Sequence, residues 1–492
     1  MKVDSRQSTV DSSRAVGSET IPSLPLRIAG EEVSTGDWFE VRSPQNGRVL
    51  ARVARAGSVQ IERALACAVE GFAQTRVLPA YRRAEILRTI LEGVAGERGR
   101  FIETIIGEAG KPRRFAEAEV DRGLTTLRLA GEEATRIGGE IVPIDIEPRG
   151  EGAFCAVGRF PVGPVTAITP FNFPLNLVLH KVAPAIASGN PVILKPSPRT
   201  PMTADLLARI LENSGWPKKA FSLLHAEPEI ARPLWTDERV RCVSFTGSDT
   251  VGWKIKAEAA RKKVVLELGG NAAAIVCADA DLKDAARKLA VAAFAYSGQV
   301  CIKAQRLFVA RGVEEPFRTA FLEETRKLEP ADPSEASAVM GPMIDEESAR
   351  RVETWVEEAR AAGAQLLTAP RREGARLWPV VAAQVPAGSK IREREVFGPV
   401  ATIEPFDDLA EAIARANDSR YGLQASLFTR DVGRIFQAFA GLEVGGVIVN
   451  EAPTFRIDNY PYGGVKSSGF GREGIRYAME EMTEPRTLIL KT

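Results

Sequence analysis

Strands and helices alternate along most of this chain, and that alternation restricts the fold more than any other feature of the sequence. From residue 163 onward, short apolar strand patterns such as PVTAITP, PVILKP and VRCVSFTG are separated by segments with helical periodicity. A second series, from about Asn271 to Asn450, includes AAAIVC, QRLFVA, GPVATIEPF and GGVIVN. Strands and helices that alternate at this spacing form parallel, doubly wound sheets. The sequence therefore predicts an α/β protein.

The first third of the chain follows other patterns. Residues 1–20 are polar and rich in Ser, which predicts a disordered tail. Residues 57–137 have helical periodicity. The segment 138–159 instead alternates apolar and polar residues, which predicts a β-hairpin with its turn at 148–152. A protruding hairpin of this kind often pairs with another subunit.

Charge and cysteine content exclude several classes of protein. The chain has 65 Lys and Arg against 64 Asp and Glu, so it lacks the basic excess typical of nucleic-acid and membrane-surface proteins. Two histidines cannot build a His-rich metal site, and five widely spaced cysteines do not indicate a disulfide framework. No segment has the pattern of a transmembrane helix or a secretory signal. We expect a cytoplasmic protein without a metal, nucleic-acid or membrane partner.

Three residues are candidates for catalysis, each with a plainer alternative. Cys301 precedes Lys303 and Arg306, whose charges would favour a thiolate; the alternative is an inert, packed thiol. Glu267 ends an apolar strand, where desolvation raises a carboxyl pKa as a general base requires; the alternative is a hydrogen-bonded structural acid. Asn172 lies between two prolines and suits an oxyanion donor; the alternative is an ordinary turn residue.

A candidate phosphate site follows the strand VRCVSF. Thr246, Gly247 and Ser248 lead from this strand into a helix whose free N–H groups and dipole suit a pyrophosphate. A simply capped helix would look the same, and no G-x-G-x-x-G fingerprint is present.

Seven motifs in order, PFNFP, KPS, FTGS, LELGG, GQVC, EVFGPV and PYGGVKSSG, resemble those of the aldehyde dehydrogenase superfamily. The resemblance covers about residues 30–490. It implies two doubly wound parallel-sheet domains, one Rossmann-like for the cofactor and one catalytic, with a β-hairpin oligomerisation element that supports a homodimer or homotetramer. The implied boundaries are 21–137 and 160–270 for the NAD(P)-binding domain, 271–470 for the catalytic domain, and 138–159 and 471–492 for the oligomerisation element.

The resemblance also implies roles in the oxidation of an aldehyde to a carboxylic acid. Cys301 matches the nucleophile that forms a thiohemiacetal, and Asn172 matches the oxyanion donor. Glu267 matches the base that activates water to hydrolyse the thioester. Lys181 matches a lysine of a proton relay, or it is a solvated helix residue. Two other functions stay open: a CoA-acylating semialdehyde dehydrogenase, a branch that typically lacks the acid matched by Glu267, and a catalytically silent structural protein.

Matching positions for the cofactor, NAD or NADP, are spread over several motifs. They are Thr169, Pro170, Phe171, Lys195, Ser197, Gly247, Ser248, Leu268, Glu395 and Phe397. Pro198 stands where many NAD-preferring relatives carry Glu, so repulsion of a 2′-phosphate is absent and we expect NADP to be tolerated or preferred. Arg199 either assists that phosphate or points to solvent.

Four residues suggest a polar and potentially cationic substrate pocket. They are Arg122, Asn176, His180 and Arg456, with Asn176 and His180 expected to line one tunnel. Arginine suits carboxylate and phosphate, although Arg122 and Arg456 could equally form structural ion pairs. The expected substrate is a small polar or anionic aldehyde, such as a semialdehyde, a phosphorylated aldehyde or a hydroxyaldehyde.

Overall fold

Two large, mostly parallel β-sheets dominate the structure, which is a computed structural model that describes residues 21–491. The disordered tail expected at 1–20 lies outside the described residues. The strands are β1 (Ser23–Leu24), β2 (Leu26–Ile28), β3 (Glu31–Val33), β4 (Trp38–Arg42), β5 (Val49–Ala54), β6 (Glu140–Ile141), β7 (Ala153–Pro161), β8 (Val165–Ile168), β9 (Val192–Lys195), β10 (Phe221–Leu223), β11 (Cys242–Thr246), β12 (Lys263–Glu267), β13 (Ala273–Val276), β14 (Arg306–Ala310), β15 (Gln365–Leu366), β16 (Arg372–Glu373), β17 (Arg376–Leu377), β18 (Val380–Ala383), β19 (Val400–Phe406), β20 (Tyr421–Gly422), β21 (Gln424–Phe428), β22 (Gly446–Val449), β23 (Val465–Lys466), β24 (Gly469–Phe470) and β25 (Thr483–Lys491).

Helices connect these strands and cover the faces of the sheets. They are α1 (Ser58–Thr75), α2 (Ala80–Gly96), α3 (Arg98–Ala109), α4 (Arg113–Ala134), α5 (Asn176–Ser188), α6 (Pro201–Glu212), α7 (Pro228–Ala231), α8 (Pro233–Thr236), α9 (Asp249–Glu258), α10 (Leu282–Phe294), α11 (Glu314–Thr325), α12 (Glu346–Ala361), α13 (Lys390–Glu393), α14 (Leu409–Asn417), α15 (Val432–Gly441) and α16 (Ile475–Glu481). No helix within residues 21–491 is both long and apolar enough to cross a bilayer.

The first large sheet has the strand order β24-β12-β11-β8-β9-β10-β2-β3. Its five central strands, β8 to β12, run parallel, while β2, β3 and β24 add antiparallel edges. The central strands are almost entirely buried, as expected for short apolar runs covered by helices on both faces. The predicted α/β class is confirmed for this part of the chain.

The second large sheet has the order β15-β18-β19-β14-β13-β21-β22 and is parallel except at β15. Separate apolar clusters pack against it, so each large sheet has its own core. The division into domains at the boundaries given above stays a prediction.

The predicted hairpin is present as part of a third, three-stranded sheet. Strand β7 pairs antiparallel with β6 on one side and, over its whole length, with β25 on the other. The turn between β6 and β7 includes a short 3₁₀ helix at Pro148–Gly150. Helix α16, which the sequence groups with this element, packs against α4 and α5 and also contacts β25.

Helix α5 is the structural support of the site. Every one of its residues is buried, and it packs between α2, α4 and α16. Glu119 of α4 accepts hydrogen bonds from the backbone N–H groups of Leu175 and Asn176 at 2.9 and 3.1 Å. This carboxylate satisfies free N–H groups at the start of α5, and its charge is favourable near the positive end of the helix dipole.

Candidate active site

A cavity of about 950 Å³ lies at the C-terminal ends of β8, β11 and β12. The loops that precede β14 and β19 close its opposite side. Ligands of open α/β sheets bind outside the carboxyl ends of the strands, so this is the expected place for a site. Cys301, Glu267 and Asn172, which are far apart in sequence, all line this one cavity.

A strained turn presents Cys301 to the cavity. Tyr296, Ser297 and Gly298 are consecutive residues with positive φ values of 50°, 53° and 69°. A Cβ at Gly298 would lie 2.3 Å from the carbonyl oxygen of Gly398, so this position requires glycine. The Ser297 hydroxyl donates to Gly341 O at 2.6 Å and helps to hold the turn. Such strain persists only when the surrounding structure fixes it, and it is concentrated at functional sites.

The Cys301 thiol faces Tyr462. Sγ lies 3.6 Å from the Tyr462 hydroxyl. Burial raises the pKa of Cys301 to about 12, although the contact with Tyr462 acts in the opposite direction. The resting side chain is therefore a thiol that needs a base.

The charges expected to activate Cys301 lie elsewhere, and that prediction is wrong. Lys303 Nζ donates to Val400 O at 2.7 Å, and Arg306 donates to backbone carbonyls of Asn271, Arg415 and Ala416. These hydrogen bonds to backbone carbonyls occupy both side chains, and neither contacts the thiol. The cation that lowers the thiol pKa is Arg456, which is distant in sequence.

Asn172 is held beside the cysteine loop. Its Nδ2 donates to Gln299 O at 3.0 Å, while its buried Oδ1 has no hydrogen-bond partner among residues 21–491. Gln299 is itself fixed, since its Oε1 accepts from Ile344 N at 2.8 Å. The Asn172 amide is thus bound to the backbone two residues before Cys301, the candidate nucleophile.

Glu267 is a buried acid at the end of β12. Neither carboxylate oxygen has a hydrogen-bond partner in the described part of the chain. Burial and the nearby charge of Glu473 raise its pKa well above the usual carboxyl range. An unpartnered acid with raised proton affinity suits a general base.

Lys181 is buried, so the alternative of a solvated helix residue is excluded. Its Nζ donates to Glu473 Oε1 at 2.9 Å and to Ser244 Oγ at 3.1 Å. Burial alone would raise the pKa of Glu473, but the charges of Lys181 and Arg456 contribute to holding it below its usual range. A buried ion pair therefore stands beside Glu267.

Arg122 and Arg456 both line the cavity and both pair with Asp458. Arg122 Nη2 donates to Asp458 Oδ1 at 2.7 Å, and Arg456 Nε lies 3.4 Å from the same oxygen. Arg456 also donates to Glu473 Oε2 at 3.2 Å, and its guanidinium lies 3.5 Å from the Tyr462 ring centroid. The ion-pair alternative for these arginines is what the structure shows, although neither is withdrawn from the cavity.

Of the two residues expected to line a tunnel, Asn176 and His180, one lines the cavity and the other does not. Asn176 lines the cavity, where its Oδ1 accepts from Thr126 Oγ1 at 3.0 Å. His180, one turn further along α5, lies behind the cavity wall with Nε2 2.9 Å from Asp458 Oδ1, so the prediction that it lines the tunnel is wrong. Burial and the charge of Arg456 lower the pKa of His180, which favours the neutral ring.

The cofactor positions beside α9 form a helix N-terminus open to the cavity. Ser248 caps α9 by accepting from Val251 N at 3.4 Å. A Cβ at Gly252 would lie 2.4 Å from Leu268 Cδ2, so glycine lets this helix approach β12 closely. The buried hydroxyls of Thr169 and Thr246 have no hydrogen-bond partner among the described residues.

Most of the other positions expected to hold the cofactor line the same cavity. Glu395 accepts from Gly270 N at 3.1 Å, and burial raises its pKa to about 7. Phe397 packs edge-on against Phe171 at a centroid distance of 6.0 Å. Pro170, Phe171, Gly247 and Leu268 also line the cavity, whereas Lys195 and Ser197 lie outside it at the end of β9.

Arg199 has a partner within the protein. Its Nη2 donates to Asp345 Oδ2 at 2.6 Å on a half-exposed surface. The side chain is therefore not free in solvent, and assistance to a 2′-phosphate stays a prediction. Position 198 is an exposed proline, which has no carboxylate.

Three residues of the site carry no assignment from the sequence: Asp458, Tyr462 and Glu473. Tyr462 lies in the PYGGVKSSG motif and Asp458 lies shortly before it. Their partners are distant in sequence: Cys301 is 161 residues from Tyr462, and Arg122 is 336 residues from Asp458. Glu473 lies in a Gly-rich segment after the last motif, and the apolar pattern around it gives no sign of burial. Residues 456–473 contain five charged residues among eighteen, close to the 26% of the whole chain, so composition gives no signal for these three positions.

Comparison with known proteins gives consistent matches. The model of the aldehyde dehydrogenase family matches residues 31–488. The 3-sulfolactaldehyde dehydrogenase of Priestia aryabhattai is 41% identical over 466 residues, which cover 94% of this chain and 97% of that protein.

Two solved structures superpose closely. Aldehyde dehydrogenase 21 from Physcomitrella patens, in complex with the reaction product succinate, has a TM-score of 0.94 at 40% identity and covers 96% of this chain and 99% of its own. The glyceraldehyde-3-phosphate dehydrogenase of Methanocaldococcus jannaschii, complexed with NADP, has a TM-score of 0.89 at 34% identity, with coverages of 93% and 100%.

Proposed function

This chain belongs to the aldehyde dehydrogenase family, and from that premise we propose that it oxidises a small polar or anionic aldehyde to the free carboxylic acid. The observation that carries the proposal is the convergence of the Cys301 thiol, the Asn172 amide and the Glu267 acid on one cavity. Together they supply a nucleophile, an oxyanion donor and a base, which are the groups that acyl chemistry on an aldehyde needs.

The first step is attack by Cys301 on the aldehyde carbon. The thiol must lose its proton, since burial keeps its pKa at about 12, and the ionised carboxylate of Glu267 on the same cavity accepts that proton. Sulfur then bonds to the carbonyl carbon, and the oxygen becomes the oxyanion of a thiohemiacetal. Asn172, which lies beside this loop, donates to that oxygen together with the backbone N–H of Cys301.

The cofactor side of the cavity fits NAD(P). The N-terminus of α9 at Ser248 suits a pyrophosphate, and Thr246, which lines the cavity, has a hydroxyl without a hydrogen-bond partner among residues 21–491. Lys195 would hold the adenosine end, while Glu395 and Phe397 would hold the nicotinamide ribose. When bound, the nicotinamide supplies the hydride acceptor that makes the oxidation possible.

We expect NADP to be accepted as well as NAD. Pro198 leaves no carboxylate to repel a 2′-phosphate near Lys195. The ion pair of Arg199 with Asp345 means that Arg199 would have to exchange partners to assist that phosphate.

Glu267 completes the reaction by activating water. Its raised proton affinity allows it to take a proton from water that attacks the thioester, which releases the acid and restores the Cys301 thiol. Lys181 and Glu473 stand beside it and can pass that proton onward. The presence of this acid favours water over CoA as acyl acceptor, and the intact set of groups argues against a catalytically silent protein.

The test is rapid-mixing kinetics of NADPH formation. Cys301→Ala should lower turnover at least about a thousandfold while NADP⁺ binding persists, because the covalent step is lost. Glu267→Gln should keep a first burst of NADPH but slow the following steady state. Cys67→Ala, which removes a partly exposed cysteine distant from the cavity, is the matched control. Near-normal turnover of Cys301→Ala would exclude the proposed nucleophile, and a CoA requirement would exclude water as acceptor.

A further inference from the structure

The two loops that carry the oxyanion donor and the thiol are joined directly by one hydrogen bond. In the asparagine loop, residues 169–174, the Asn172 amide donates to Gln299 O of the cysteine loop, residues 295–301. Within residues 21–491 no other hydrogen bond connects these two loops. A single bond fixes one distance and lets the loops turn about it, so their relative orientation depends on the groups packed around them.

Lys111 lies between the two loops. It is completely buried, and its Nζ lies 3.6 Å from the ring centroid of Phe173 and 4.8 Å from that of Tyr296. Phe173 follows Asn172 directly, and Tyr296 begins the turn that presents Cys301. An amino group has more than one N–H donor, and N–H groups are attracted to the faces of aromatic rings. One side chain therefore contacts both loops.

The backbone around Lys111 is packed against the cysteine loop. The Tyr296 hydroxyl donates to Ala109 O at 3.1 Å. Gly110 ends α3 with a φ of 61°, and a Cβ at this position would lie 2.8 Å from Pro342 Cγ. The fold therefore fixes the place from which the Lys111 side chain extends.

Glu119 fixes the far end of the Lys111 side chain. Lys111 Nζ donates to Glu119 Oε2 at 2.5 Å, while the other oxygen of Glu119 accepts from the N–H groups at the start of α5. Burial lowers the pKa of Lys111 against the opposing charge of Glu119, but the amine has N–H groups for the rings in either protonation state. Removal of the amine alone would leave Glu119 buried without its lysine partner, so a test has to change both residues.

We propose, as an extension of the proposed function and dependent on it, that Lys111 is a positioning residue for the attack on the aldehyde. It holds the asparagine loop against the cysteine loop, so that the Asn172 amide and the Cys301 thiol meet the same carbonyl group. Asn172 has two N–H groups, of which one donates to Gln299 O and the other is left for the oxyanion. A displacement of the amide relative to the thiol would lengthen that second hydrogen bond. Lys111 acts through the two rings and takes no part in bond formation.

The test compares the first burst of NADPH in two variants, with whichever of succinic semialdehyde, lactaldehyde and butanal reacts fastest. Glu119→Gln keeps Lys111 beside the rings and keeps an acceptor for the N–H groups of α5. Lys111→Met/Glu119→Gln has the same residue 119 but no amine between the loops. Relative to Glu119→Gln, it should lower the burst rate at saturating aldehyde by about tenfold to a hundredfold, the loss expected when a catalytic group is misplaced by about 1 Å. NADP⁺ affinity and the alkylation of Cys301 by iodoacetamide should stay unchanged, because neither needs the Asn172 amide.

A second comparison repeats the experiment in Asn172→Ala. This change removes the amide that Lys111 positions, so loss of the Lys111 amine should then slow the burst by less than about twofold. A role in stability alone would give the same factor in both backgrounds. Lys256→Met is the matched control and should leave the burst rate unchanged, since Lys256 Nζ also lies 3.6 Å from a phenylalanine centroid, that of Phe470, but outside both loops.

The outcomes separate this inference from the proposed function. Equal burst rates in Glu119→Gln and in the double variant would overturn the positioning role and leave aldehyde oxidation intact. An equal loss with and without the Asn172 amide, or a raised KM with an unchanged burst rate at saturation, would overturn it as well. If the double variant does not fold, Lys111→Gln, which has a shorter side chain, is compared with the unaltered enzyme by the same criteria. If the unaltered enzyme forms no NADPH with any of the three aldehydes, the proposed function fails and the positioning role fails with it.

Discussion

At the scale of single residues, the site depends on contacts between side chains that the chain brings together from far apart. Cys301 and Tyr462 illustrate this, since the hydroxyl that touches the thiol comes from a different motif. The groups that face Cys301 are Tyr462, Arg456, Glu267 and Glu395. Tyr462 and Arg456 lower the pKa of Cys301, whereas burial and the two acids raise it.

Removal of the Tyr462 hydroxyl should raise the pKa of Cys301. A hydrogen bond to a charged group contributes enough to move a pKa by about one unit, so at each pH below the Cys301 pKa of about 12 the alkylation of Cys301 in Tyr462→Phe should be about tenfold slower. The measurement is the pH dependence of iodoacetamide labelling, read on the Cys301 peptide by mass spectrometry. Tyr460→Phe, whose hydroxyl contacts the Phe455 carbonyl, is the control. Superimposable profiles would show that the contact does not stabilise the thiolate.

The raised pKa of Glu267 should place the acidic limb of the activity profile above the usual carboxyl range. Thioester hydrolysis needs the ionised carboxylate, and the raised pKa means that activity falls on the acidic side well above the usual carboxyl range. The acidic limb of kcat should disappear in Glu267→Gln, which should be slow at every pH.

The same group predicts a pH-dependent stability difference. Above the carboxyl pKa of the unfolded chain, the folded protein retains a proton that the unfolded chain releases, so this group destabilises the fold by up to about 1.4 kcal/mol per pH unit until its folded pKa is reached. Glu267→Gln should gain stability relative to the parent as pH rises through this window. Denaturant titrations at several pH values measure the difference, and parallel stability curves would contradict a protonated Glu267.

At the scale of elements, the turn at 296–298 determines where the thiol lies. Gly298→Ala should place a methyl group against the Gly398 carbonyl in a backbone region that alanine rarely adopts. We expect a loss of about 1–3 kcal/mol in unfolding free energy and a larger loss in kcat, because Cys301 follows three residues later. Gly312→Ala, at an open position with ordinary φ, is the control. Equal kcat values for both variants would show that the turn does not position the thiol.

Much of the element order follows from the sequence. The buried strands β8 to β14 and the helix that begins near Leu175 are visible as apolar runs and helical periodicity, and the hairpin is visible as alternation. Strands β2, β3 and β24 could not be placed, since two or three residues give no pattern and their partners lie far along the chain. The prediction for Lys303 and Arg306 is wrong for another reason: proximity in sequence to Cys301 does not determine which groups a side chain contacts, and both donate to backbone carbonyls.

At the scale of the whole molecule, the three-stranded sheet leaves an apolar surface uncovered. Leu488, Ile489 and Leu490 of β25 are each more than half exposed, and Ile141 of β6 is 71% exposed. The outer edge of β25 has no strand partner within residues 21–491. An exposed apolar edge of this length is typical of an interface.

We therefore predict that the protein assembles as a homodimer or homotetramer through this sheet. Ile489→Lys should shift the mass measured by analytical ultracentrifugation toward the monomer, because a charge replaces an apolar side chain at the interface. Val59→Lys, at an equally exposed but isolated apolar position on α1, should leave the assembly unchanged. An unchanged mass for Ile489→Lys would place the interface elsewhere.

The distance in sequence between the cavity residues also determines when activity can appear during refolding. Asn172, Glu267, Cys301 and Glu473 come from segments spread over some three hundred residues, and the two large sheets have separate cores. Contacts of such long range form late, since loop closure must precede them. Each sheet can regain its secondary structure while the cavity is still unformed. In a refolding experiment, circular dichroism should therefore recover before the rate of NADPH formation does, and the delay measures the docking of one sheet on the other.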